Sequence, residues 1–220
     1  MENLTNSIAE KISSELGLDN DSKEVIAYGT FALIQTLLSI FLVVIFGAVF
    51  KVLIESLIVS FTISILRKYS GGAHASSPGI CTAIGTIIAV GFALIIYFII
   101  APLFNINLTI FFGLLTFSWS YYIILKLAPV DSISKPIKTQ KKKERMKKES
   151  ILVLGIYLII VLINIIIYIL IHNKSFLIFS ICIYSGITWQ TFTLTYKGHI
   201  AFLKIDSFFN KLLNLAKGEK

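Results

Sequence analysis

The chain has 220 residues, 56% of them hydrophobic and 15% charged, with a formal net charge of +8 and a mean hydropathy of +0.84. That balance excludes an ordinary water-soluble globular domain. Because the Lys and Arg residues fall between hydrophobic runs, it also argues against a nucleic-acid-binding surface. At about 20 apolar residues per bilayer-spanning helix, the runs supply about four to six spans and leave no room for a separate soluble domain. The expected fold is therefore all-α. It is a polytopic transmembrane bundle of about six apolar helices plus an N-terminal amphipathic helix, forming a single membrane-embedded domain over residues 1–220.

In chain order, residues 1–24 are polar and acidic and bear none of the marks of a secretory signal peptide. Within them Leu4, Ile8, Ile12 and Leu16 recur every four residues, the pattern of a short amphipathic helix, and the stretch from Gly17 to Ser22 breaks it. A long apolar run covers residues 25–50. A second, over 52–66, is roughly 22 Å long as a helix, short for a span. Lys51 and Glu55, four residues apart, are placed to pair. After a polar interval at 67–78 come apolar runs over 80–100 and 106–127, joined by an uncharged link. A basic loop is expected over 128–150, with Pro129 and Pro136 as breakers, and the Lys-rich run from Lys141 to Lys148 reads as solvated loop. Runs over 151–171 and 176–196 follow, and residues 197–220 form a basic, amphipathic tail. Trp119 and Trp189 read as interface anchors.

The positive-inside rule orients this pattern. Arg67, Lys68, the Lys and Arg residues from Lys126 to Lys148, and the tail lysines belong on the cytoplasmic side, together with both termini; Lys51 and Lys174 are left outside. The expected location is a bacterial cell membrane, crossed several times.

The segment that carries chemistry is the polar interval and the helix start after it, residues 67–81. Ser77 followed by Pro78 is a helix-start signature, so Cys81 falls in the first turns of a helix, where the positive end of the macrodipole favours a thiolate. His74 lies seven residues earlier, and Gly71 and Gly72 free the chain to turn it back toward Cys81. These are the parts of an activated nucleophile and its general base. Taken alone, a histidine in a polar loop and a cysteine in a helix are equally compatible with loop and packing residues. Zinc requires three or four ligands, which His74, Cys81 and His199 do not form as a set, so neither metal nor cofactor is expected. Cys81 and Cys182 make no disulfide framework, and Cys182, His172 and His199 receive no catalytic role.

Arg67, the stretch Gly71-Gly72-Ala73-His74-Ala75, and Cys81 seven residues after the histidine resemble the signature of the AgrB family, the membrane peptidases of peptide quorum sensing in Gram-positive bacteria. Ala128-Pro129 and Lys135-Pro136-Ile137 are similar to the family's central loop. The resemblance implies a cysteine endopeptidase that cleaves an AgrD-like propeptide on the cytoplasmic side. Cys81 would attack the scissile carbonyl and His74 would serve as base and then acid. A cysteine or serine of the propeptide would then open the acyl-enzyme thioester to give a thiolactone or lactone ring. Arg67, Gly71 and Gly72 would bind substrate or support the loop. No orienting third residue is evident; Asp131 is the nearest candidate by type. The implied partners are the propeptide and the lipid bilayer. A homodimer is compatible with the resemblance, and nucleic acid has no place in it. The competing classes are a small multi-span transporter and a membrane scaffold with a lipid-binding basic loop, although no inverted repeat supports the first. Loss of product in a Cys81→Ala variant that keeps its fold separates the peptidase from both.

Overall fold

A computed structural model describes residues 2–73, 75–131 and 139–217. Among them the structure is helical: α1 (Glu2–Leu16), α2 (Asn20–Val49), α3 (Leu53–Ser70), α4 (Pro78–Leu94), α5 (Ile106–Leu127), α6 (Gln140–Ile171), α7 (Ser175–Leu194) and α8 (Tyr196–Lys217), with π-helical turns at Ile95–Ile100 extending α4. Five helices are long and apolar enough to cross a membrane: α2, α4 with its π-helical extension, α5, α6 and α7. The protein is a multi-pass membrane protein. The sixth apolar run, α3, has 18 residues, about 27 Å at the rise of an α-helix. It buries Ser56, Val59, Thr62, Ile63, Leu66 and Ser70 and packs against α4, α6 and α7. A helix covered by protein in this way tolerates hydroxyl groups that a lipid-facing helix would not.

The chain divides into residues 1–42 and 43–220. In the first unit Gly17, at φ 62°, ends α1, and the Asp19 carboxylate accepts the Ser22 amide at 3.1 Å, as an N-cap does. Hydrogen bonding from the Ser22 hydroxyl, and then from its amide, holds the Asp19 carboxyl below the usual carboxylate range. The cap starts α2 at Asn20, so the expected break after α1 is shorter than the sequence suggests. Lys23 Nζ reaches Glu10 Oε1 at 3.1 Å across it.

In the second unit successive helices run back and forth. The ends of α3, α5 and α7 and the starts of α4 and α6 therefore meet at one end of the bundle. A core of Leu66, Ile124, Ala128, Val153, Leu154, Tyr157, Ile187 and Leu194 packs toward that end. A second core unites Val43, Val59, Ile63, Ala89, Ile96, Ile181 and Cys182, so Cys182 is a packing residue, as expected. Arg67, Lys68, Lys126 and the lysines that open α6 belong to the shared end.

Three expectations need correction. The Lys-rich run is helix, not loop: α6 begins at Gln140. Lys, Arg, Glu and Gln are good helix formers, and Gln140–Glu144 (3.2 Å) and Arg145–Glu149 (3.5 Å) add contacts one turn apart. Of the expected basic loop, residues 132–138, with Lys135, Pro136 and Ile137, lie outside the described residues. Among the described residues Lys51 and Glu55 form no ion pair, because Lys51 sits at φ 59° in the turn before α3 and not on its helical face. Trp189 is not a free interface anchor: its ring meets Phe92 edge-on at 5.9 Å and packs against buried residues of α4 and α7.

Candidate active site

The interval between α3 and α4 is held by its backbone. Gly71, at φ 71°, pairs in a parallel bridge with Val130, and the Val130 amide donates to the Ser70 carbonyl at 2.9 Å. A Cβ at Gly71 would stand 2.1 Å from the Val130 carbonyl oxygen, so both the positive φ and the close approach demand glycine. Gly72, at φ 131°, faces Thr193 and Gln190 of α7, where a Cβ would lie 3.1 Å and 3.3 Å from their side chains. The segment 67–81 is thus in direct contact with Val130, the residue that follows the Ala128-Pro129 pair of the family resemblance.

Gln190 fixes the same turn from α7. It is fully buried, and its Nε2 donates to the Gly71 carbonyl at 2.8 Å and to Ser70 Oγ at 3.0 Å. Its Oε1 has no partner among the described residues.

Arg67, on the last turn of α3, is half-buried. Its guanidinium donates to the Ala73 carbonyl and lies 5.6 Å from the Phe202 ring centroid of α8, within cation–π range. Burial pushes the guanidinium below its ordinary value, and a negative charge at Cys81 would act in the opposite direction.

Cys81 stands where the sequence puts it. Ser77 is extended (φ −134°, ψ 151°) and its hydroxyl accepts the Ile80 amide, with Pro78 as the first helical residue. The Cys81 amide donates to the Ser77 carbonyl at 3.0 Å, in the first turn of α4. The thiol is free and partly exposed. Below it Ala73, Ile80, Ile84 and Phe202 form a small core that seats α8 against the interval. His74 lies outside the described residues.

The structure therefore brings together Arg67, Gly71, Gly72 and the helix start at Cys81. Asp131 is exposed. An acid that binds this interval is Asp206 of α8, whose Oδ1 accepts both the amide and the hydroxyl of Ser76 at 3.0 Å. Sequence reasoning passed over Asp206 and Gln190. The available signals were a glutamine within the apolar run of α7, and an aspartate one turn after Phe202 and one turn before Asn210 on an otherwise apolar helical face. Among the described residues no three His, Cys, Asp or Glu side chains cluster as a metal site. An apolar cavity of about 490 Å³, lined by Phe92, Phe104, Tyr184, Trp189 and Phe192 among others, includes none of the residues of the interval.

Comparison with known proteins bears on the same residues. The family model for accessory gene regulator B matches residues 5–194, which include the interval, the segment after α5 and Gln190. The chain belongs to the AgrB family. It is 49% identical to the AgrB-like protein 2 of Clostridium perfringens strain 13, over 97% of this chain and 100% of that one. With an AgrB-like protein of Clostridium perfringens strain SM101 it shares 48% identity over the same proportions. No solved structure matches. As an AgrB family member the protein is part of an accessory gene regulator, or quorum-sensing, pathway, a family known for peptide processing.

Proposed function

We propose that this AgrB family member is a cysteine endopeptidase that cuts an AgrD-like propeptide at the cytoplasmic face and closes it into a ring. The observation that carries the reading is the placement of Cys81. It is a free, partly exposed thiol in the first turn of an N-capped helix, beside a backbone-locked interval.

The chemistry follows from those parts. Cys81 Sγ, having given its proton to His74, attacks the scissile carbonyl carbon, and the amide nitrogen leaves with that proton. Negative charge on the attacking sulfur and on the tetrahedral oxygen develops near the half-buried cation Arg67 and near the positive end of α4. The acyl group is then held as a thioester on Cys81. A thiol or hydroxyl within the propeptide attacks the thioester carbonyl, the ring closes, and the Cys81 sulfur is released and reprotonated. Ring closure requires that water, which would otherwise yield the linear acid, be kept from the thioester.

The side of the membrane is part of the same proposal. The site lies at the bundle end that gathers Arg67, Lys68, Lys126 and the lysines of α6, and the positive-inside rule puts that end in the cytoplasm with both termini.

The test is cleavage of a synthetic propeptide by the full chain in lipid nanodiscs. Cys81→Ser and His74→Ala each abolish cleavage while insertion is retained. Substantial processing by either variant overturns the assignment.

A further inference from the structure

Asp206 is 6% exposed, and a carboxylate kept out of water requires hydrogen bonds to offset its desolvation. Its Oδ1 takes two, from the Ser76 amide and the Ser76 hydroxyl, each at 3.0 Å. Asn210, one turn later, donates from Nδ2 to Ser76 Oγ at 2.8 Å and to the Asp206 carbonyl at 3.1 Å, and approaches Asp206 Oδ2 at 3.4 Å. Ser76 is therefore gripped by two residues of one helical face.

The same face holds the other side of the interval. Phe202, one turn before Asp206, underlies the Arg67 guanidinium, which holds the Ala73 carbonyl. Residues 73 and 76 bracket position 74 in the chain, and residue 77 caps the helix that carries Cys81. Ala73 and Ser76 are thus both held by groups that meet α8, a helix beyond the 5–194 stretch matched by the family model.

We infer that Asp206 is a positioning residue for peptide cleavage, acting through Ser76 to hold the capped start of α4, and with it Cys81, against α8. This inference rests on the peptidase reading above. Asp206 does not touch the reacting atoms. It acts through two hydrogen bonds accepted by one oxygen, which an asparagine oxygen can also accept.

The experiment compares Asp206→Ala, Asp206→Asn, Ser76→Ala and Cys81→Ala in the full chain in nanodiscs, with kcat and KM measured on a synthetic AgrD-like propeptide. Asp206→Ala lowers kcat by about 10- to 100-fold with KM unchanged, the scale expected when a reacting group is misplaced by about an ångström. Asp206→Asn recovers most of that loss. Ser76→Ala, which keeps the amide hydrogen bond, loses kcat to an intermediate degree. It decides the matter if Asp206→Ala fails to insert: a wild-type kcat in Ser76→Ala then overturns the role. Wild-type turnover by Asp206→Ala, a change confined to KM, or an Asp206→Asn variant as slow as Asp206→Ala overturns it while leaving the peptidase reading intact, provided Cys81→Ala is inactive. Cleavage by Cys81→Ala overturns the peptidase reading and the role of Asp206 together.

Discussion

Gln190 Nε2 lies 2.8 Å from the carbonyl oxygen of Gly71, a residue 119 positions earlier in the chain, and so ties the end of α7 to the interval that leads to Cys81. The same nitrogen binds Ser70 Oγ, and all of these groups are buried or partly buried. Removing the amide leaves a buried carbonyl and hydroxyl with one partner fewer, which costs about 1–3 kcal/mol. Gln190→Ala is expected to lower the thermal midpoint of the detergent-solubilised protein and to reduce propeptide cleavage together. A midpoint equal to wild type would show that the contact contributes nothing.

Gly71 is expected to be the least replaceable glycine of the interval. In Gly71→Ala the new Cβ meets the Val130 carbonyl oxygen and the backbone remains at positive φ, so the bridge to residues 128–130 must open. Cleavage should fall by at least about tenfold, in line with a displaced catalytic segment. Gly155→Ala is the control, because a Cβ added there, on α6, would meet nothing within 4 Å. It should leave cleavage unchanged and raise stability by up to about 1 kcal/mol, the helix-propensity gain of alanine over glycine.

Sidedness is checked by single cysteines placed at Lys68 and Lys142, both exposed, in a Cys81→Ser background. Ser70, two residues after Lys68, is fully buried and unsuitable for labelling. In intact cells a membrane-impermeant maleimide should label neither position and should label a cysteine at Lys174, at the opposite end of the bundle. Labelling at Lys68 or Lys142 without permeabilisation would invert the orientation.

The lysines that open α6 are expected to attract an acidic segment of the propeptide. Replacing Lys141, Lys142, Lys143, Lys147 and Lys148 by glutamine keeps helix propensity while removing five charges. KM for the propeptide should rise, and its dependence on salt should weaken, since attraction between exposed charges is screened over about 8 Å at physiological ionic strength. An unchanged KM and salt dependence would leave these lysines as a topology determinant alone.

The membrane class, the six apolar runs, the cap at Ser77-Pro78 and the candidate residues Arg67, Gly71, Gly72, His74 and Cys81 were legible in the amino-acid sequence. Each depends on signals that act locally: hydropathy over about 20 residues, a capping side chain three residues from its amide, or a motif read within one short segment. What the sequence could not decide was which distant groups complete the interval. Val130, Gln190 and Asp206 reach it from 60 to 130 residues away, and no periodicity encodes a polar pairing across helices. Asp206 lies 130 residues after Ser76, and only the packing of α8 against α4 and α7 brings its carboxylate to the Ser76 amide. The Lys-rich run illustrates the converse. Its composition suited a solvated loop and a helix equally well. Continuity with the apolar turns of α6, whose hydrogen-bonded ladder extends back through Gln140, decided between them, because adding residues to an existing helix avoids the cost of nucleating one.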